Sequence, residues 1–164
     1  MRFYSILNYR YKIILYLIII SFYSSISFAQ TENKRKENYN IKKSNLAIEG
    51  FDPVSYISKN KAEKGNSSIS FVYKGISYHF VSNANRDLFK SAPDMYEPAY
   101  GGWCAYAMGA KGEKVEVDPE TFKVIKGKTY LFYNFYYNNT LKDWNKEEEK
   151  LKVKADNNWK KIIQ

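Results

Sequence analysis

YHFVSNANRDLFKSAPDMYEPAYGGWCAYAM, residues 78–108, is the stretch on which the reading of this 164-residue chain turns. It holds the only histidine and the only cysteine of the sequence, with two of its three methionines. Soft-ligand or thiol chemistry therefore has to draw on it. Ser82 is placed to cap a short helix over 83–90, and Pro93-Asp94 restart the chain into a turn bearing Met95 and Tyr96, which Pro98 ends. Gly101-Gly102 permits close backbone approach or positive φ. Residues 103–108 then read as a short apolar helix stopped at Gly109, which would set Cys104 and Met108, four apart, on one face.

Outward from this stretch the pattern turns to strands. Residues 69–81 alternate as a hairpin, ISFVY then ISYHFV, turned at Lys74-Gly75. After the loop 111–120 a second hairpin, FKVI then KTYLFY, turns at Lys126-Gly127. The segments VYKGISYHF (72–80) and VIKGKTYLF (124–132) match at Val, Lys-Gly, Ser/Thr, Tyr and Phe, which sets His79 opposite Leu131. Common hairpin chemistry or an internal duplication accounts for the match. Upstream, Asp52-Pro53 starts a helical turn carrying Val54, Tyr56 and Ile57, and 58–68 is a polar loop. Downstream, Leu141, Trp144, Leu151, Ala155, Trp159 and Ile162 recur at helical spacings, with Asp156-Asn157-Asn158 a candidate break. These elements predict a small single α+β domain: two short β-hairpins packed against short helices, with a helical C-terminus. Sixteen Tyr, ten Phe and three Trp supply its core, each able to bury on the order of 150–250 Å².

The start of the chain reads as an export signal. Arg2, Arg10 and Lys12 precede the apolar run Ile13–Ile20, and Ser27-Phe28-Ala29 offers a small-residue cleavage site after Ala29. The apolar core falls short of the roughly 20 residues a bilayer needs. The expectation is an exported, periplasmic protein with no stable membrane anchor after cleavage of residues 1–29. Loss of those three cations lowers the formal net charge from +9 to +6. Residues 30–44 read as a flexible polar linker and 45–164 as the domain. The lysines are interspersed with acids and form no basic stripe, which argues against a nucleic-acid partner. One cysteine cannot make an internal disulfide, so Cys104 is a buried hydrophobe, a ligand or a reactive thiol.

Several motifs in order carry a resemblance. DPV at 52–54, YKGISYHF at 73–80 and DLFKSAPDMY at 87–96 resemble the YHS domain. YGGWCAYAM at 100–108 and KADNNW at 154–159 are similar to an exported bacterial subgroup with a longer domain. The likeness spans Asn45 to Trp159, and it implies metal binding. The chain departs from the metal-associated pattern at Ser55, Val81 and Asn85, where those members carry cysteine, so their thiolate set does not transfer.

What could replace it is His79, Cys104 and Met108. Imidazole, thiolate and thioether suit copper or another transition metal, and less readily haem iron. The leading expectation is a binding module that sequesters or delivers such an ion. The alternative is a metal-free module for a protein or a small apolar ligand, with Tyr100, Trp103 and Tyr106 as pocket residues and Cys104 as packing. A thiol-dependent enzyme would need a third group beside the Cys-His pair, and the sequence places none of Asp52, Asp94 or Asn85 there. No nucleophile elbow, phosphate loop, paired-carboxylate motif or HExxH occurs. Protein partners cannot be read from the residues.

Overall fold

Residues 31–164 are described by the structure, a computed structural model; the export signal read at 1–29 lies outside them. The chain divides at Lys34/Arg35 into two units. Of the first, only residues 31–34 are described, and they are helical. Everything below concerns the second.

Helix α1 (Pro53–Lys59) begins where the Asp-Pro pair predicts: Asp52 Oδ1 accepts the Val54 amide at 2.8 Å and Pro53 fills the first helical position. Strands β1 (Asn66–Tyr73) and β2 (Ile76–Phe80) form the first hairpin. Ser82 caps α2 (Asn83–Ser91), and α3 (Pro93–Tyr96) follows. A tight turn over Ala99–Gly102 leads into α4 (Ala105–Ala110). The second hairpin pairs β3 (Asp118–Ile125) with β4 (Lys128–Phe132). A small ribbon of β5 (Asn134–Phe135) and β6 (Asn138–Asn139) precedes α5 (Thr140–Trp144) and α6 (Glu148–Ile163). Short helices around separate two-stranded antiparallel ribbons make this the predicted α+β domain.

The two hairpins are copies of one backbone pattern. Their registers agree pair by pair, each position of the second lying 52 residues after its counterpart in the first, as 66 to 118 and 80 to 132. Both are irregular at the same place, between Asn66 and Ser70 and between Asp118 and Phe122. Asn66 accepts the Ser68 amide on its side chain, and Asp118 accepts that of Glu120. Both turns use a positive-φ lysine before a positive-φ glycine, the geometry that matches strand twist. The correspondence reaches further upstream. Ile48, Glu49 and Gly50 have φ of 52, 51 and 84°, and Tyr100, Gly101 and Gly102 have 55, 60 and 86°. Asp52 donates its amide to Glu63 and caps α1; Cys104 donates to Val115 and stands at the N-cap of α4. The hairpin likeness seen in the sequence therefore extends over two whole segments, 46–81 and 98–133.

Alternation along β2 turns Ile76, Tyr78 and Phe80 inward, where Tyr78 and Phe80 meet the Phe89 ring of α2 at 4.7 and 5.3 Å. In the second hairpin Tyr130 and Phe132 pack on Trp144 of α5 at 5.9 and 5.5 Å.

Three local expectations are corrected. The helix after the double glycine starts at Ala105 and runs past Gly109 to Ala110. Gly109 is a contact point: a Cβ there would lie 2.5 Å from the Leu151 carbonyl oxygen, so α4 and α6 can approach only without one. Asp156-Asn157-Asn158 does not break α6, because Asp156 pairs with Lys152 at 2.6 Å and Asn158 donates to the Met108 carbonyl at 2.9 Å. Residues 35–44, read as linker, belong to the compact unit. The Arg35 guanidinium pairs with the Glu97 carboxylate, Asn40 bonds Gly101 through the backbone, and Tyr39 meets Trp159 edge-on at 5.8 Å. A composition-based reading misses such contacts because each partner lies some 60 residues or more away in sequence.

Candidate functional site

His79, Cys104 and Met108 occupy separate surroundings. His79 alternates with Tyr78 and Phe80, so its ring leaves the core face of the ribbon. It lies against Gly50, where a Cβ would sit 3.1 Å from Nδ1, and burial with the nearby Lys64 holds its pKa below the ordinary value. Cys104 is fully buried in the cluster containing Tyr78, Phe80 and Leu131. Its ψ of 117° puts it outside α4, so helical spacing no longer aligns it with Met108. The sulfur accepts the Tyr133 amide and faces the Thr140 hydroxyl, both at 3.4 Å. Met108 is buried in the other cluster, with Phe132, Trp144 and Leu151. Among the described residues no three His, Cys, Asp or Glu side chains gather as metal ligands. The hydrogen-bond partners of the Cys104 sulfur among the described residues are Tyr133 and Thr140 and do not include His79, the base a nucleophilic pair would use.

Ser55, Val81 and Asn85 converge around Asp52. Asp52 is fully buried; Oδ2 accepts the Val81 amide at 2.8 Å and Asn85 Nδ2 at 2.7 Å, while Oδ1 takes the α1 amides. Asn85 Nδ2 also reaches Ser55 Oγ at 3.3 Å, and that hydroxyl donates to Glu63 at 2.8 Å. This is a saturated polar knot: its carboxylate is satisfied by neutral donors, which holds the cap of α1, the end of β2 and the start of α2 together.

An open cleft of about 230 Å³ lies elsewhere, at the turn 99–102. Tyr39, Tyr100, Tyr130 and Trp159 supply its rings, and Glu97, Lys128 and Asp156 its charges. Two features fix the walls. Gly101, at φ +60°, lets the Trp159 ring and Tyr39 settle directly on the backbone; a Cβ would stand 2.8 Å from the indole. Tyr100 donates its hydroxyl to Asp156 at 2.9 Å, and burial with that carboxylate raises its pKa. Burial holds Lys128 below the usual lysine pKa, with Nζ donating to the Asp94 carbonyl at 2.7 Å. Burial first, then Glu97, pushes Tyr39 up to about 12.

Of the expected pocket residues only Tyr100 lines this cleft. Trp103 turns to donate its indole N–H to the Asn38 carbonyl at 2.6 Å, and Tyr106 packs against both clusters. Tyr39, Glu97, Lys128, Tyr130, Asp156 and Trp159 were not singled out as site residues. The double glycine was the available signal, since two adjacent glycines mark where something large approaches the backbone.

Among the described residues no helix is long and apolar enough to cross a membrane. Comparison with known protein families, curated proteins and solved structures finds no match to the chain.

Proposed function

We propose that this domain is an exported, YHS-like binding module that takes a small ring-bearing molecule in the cleft at Tyr39, Tyr100 and Trp159. The observation that carries the reading is the divergence of the two copies at one place. In the first copy Ile48 and Ile76 are buried apolar filler. Their counterparts in the second are Tyr100 and Lys128, both lining an open cleft. Tyr100 is as buried as Ile48 and spends its hydroxyl on Asp156, so the divergence rests on Lys128: a position that one copy fills with aliphatic core and the other gives an ammonium lining a cleft is no longer serving packing alone. Copper ligation by His79, Cys104 and Met108 is not the reading this geometry supports, since the three donors face different surroundings.

Ligand-observed NMR with a panel of small aromatic compounds tests it. Binding should appear and weaken at least tenfold in Trp159→Ala, while Cys104→Ser leaves it unchanged. Hits that survive Trp159→Ala and vanish in Cys104→Ser would place the ligand at the thiol and overturn the assignment.

A further inference from the structure

Resting on that cleft, the charge pattern around it points further: we infer that its ligand is a small aromatic anion, an arene carboxylate or its equivalent, held by Lys128. Every carboxylate near the cleft already has its own partners. Glu97 is paired with the Arg35 guanidinium and also accepts the Tyr78 hydroxyl. Asp156 is paired with Lys152 at 2.6 Å and accepts the Tyr100 hydroxyl. Asp94 lies 3.1 Å from the Tyr73 hydroxyl and 3.9 Å from Lys74. Lys128 forms no salt bridge among the described residues, and its hydrogen-bond partner is the Asp94 backbone carbonyl, which carries no net charge. Counted with the cations that pair with them, Arg35 and Lys152, the lining acids Glu97 and Asp156 are neutralised, and Lys128, which Glu97 and Asp94 attract without forming a salt bridge to it, is the charge left over.

That ammonium has three donors and uses one. Two N–H groups remain to meet the oxygens of an incoming carboxylate, in partly buried surroundings that lower the lysine's pKa from its ordinary value. The rings set the rest of the ligand. Trp159 and Tyr39 meet edge-on beside Gly101, so each presents part of a face, and a flat ring entering there gains offset or edge contacts. Aliphatic acids would satisfy Lys128 and leave these faces uncovered; neutral arenes would cover the faces and leave the two remaining N–H donors of the ammonium unmet.

Three probes that share a ring and differ in charge separate the possibilities. The full chain is titrated with benzoate, benzyl alcohol and benzyltrimethylammonium, reading saturation transfer and chemical shifts. Benzoate should bind at least tenfold more tightly than the other two, and Lys128→Met should remove that preference while the thermal unfolding midpoint stays within a few degrees. Lys128→Arg, which keeps the charge, should retain binding of benzoate over benzyl alcohol. Equal or tighter binding of benzyl alcohol or of benzyltrimethylammonium, abolished by Trp159→Ala, would overturn the anion assignment and leave the cleft standing. Failure of all three probes, or benzoate binding untouched by both Lys128→Met and Trp159→Ala, would overturn the cleft as well.

Discussion

The segments 46–81 and 98–133 follow one backbone path and use it for different ends. At the N-cap position the first places Asp52 and the second Cys104, and each accepts the amide just beyond the second strand of its hairpin, Val81 or Tyr133. The carboxylate has four acceptor sites to satisfy and collects Val54, Ser55, Val81 and Asn85. The thiol asks for little and takes an amide and a hydroxyl at the longer distances of sulfur. The comparison teaches that the path itself is set by the left-handed turn, the hairpin register and the cap. Side-chain chemistry at equivalent places is then open to change: Asp52 anchors a polar knot where the second copy has the buried Cys104, and Lys128 lines a cleft where the first has the buried Ile76.

The sharpest way to break this pairing is to remove both caps. Asp52→Ala deletes a buried charge and strands its donors, so it should lower unfolding free energy by at least about 3 kcal/mol. Cys104→Ala removes one polarisable atom and weak hydrogen bonds, and about 1–2 kcal/mol is expected. Urea denaturation of the two variants measures the ratio. If Cys104→Ala costs as much as Asp52→Ala, the two positions are not doing the same job with different strength. Asp52→Asn, which keeps the shape, should fall between them.

How far the sequence showed these features follows from the range of the interactions. The hairpins, the Asp52-Pro53 start and the Ser82 cap were legible, since each depends on neighbours within a few residues. The duplication was glimpsed only over nine residues because its other half, the turn at Ile48–Gly50 and Tyr100–Gly102, is written in φ values and shares a single glycine pair, Gly50 and Gly102. The proposed cleft was almost invisible. Tyr39, Glu97, Lys128 and Trp159 come from four distant parts of the chain, and nothing local marks them as neighbours. His79 and Cys104 drew attention by rarity, yet strand alternation turns one away from the core while an N-cap geometry buries the other. A residue's being unique says nothing about where its side chain points.

A second difference between the copies is the ribbon β5–β6, inserted where the first copy passes straight from β2 to the cap of α2. Its turn places Tyr136 and Tyr137 at φ of 53 and 64°, almost fully exposed. Bulky side chains in the left-handed region are strained, and this turn type prefers Asn-Gly. The ribbon's evident use is to bring Thr140 back onto the Tyr133 carbonyl and Cys104. Tyr136→Asn with Tyr137→Gly should therefore stabilise the fold by about 1 kcal/mol and leave the Cys104 surroundings unchanged. A loss of stability would show that the two rings make contacts that outweigh the strain.

The smallest effect on stability, and the one that bears most on function, comes from making the second copy resemble the first at a single position. Lys128 is the counterpart of Ile76, which is fully buried, and burial already disfavours the lysine's charge. Lys128→Ile gives up one hydrogen bond to the Asp94 carbonyl and gains apolar contact with Tyr100 and Tyr130, so the two terms oppose each other. Each is worth on the order of 1 kcal/mol, and the net change should stay below about 1 kcal/mol in a urea titration. Benzoate binding, by contrast, should be lost. If the variant unfolds more than about 2 kcal/mol more easily, the lysine is a structural strut between β4 and α3, and the divergence of the copies at this position reflects packing. If it remains folded and the ligand is gone, the same backbone has been turned from core filler into a binding surface by exchange of a single side chain's chemistry.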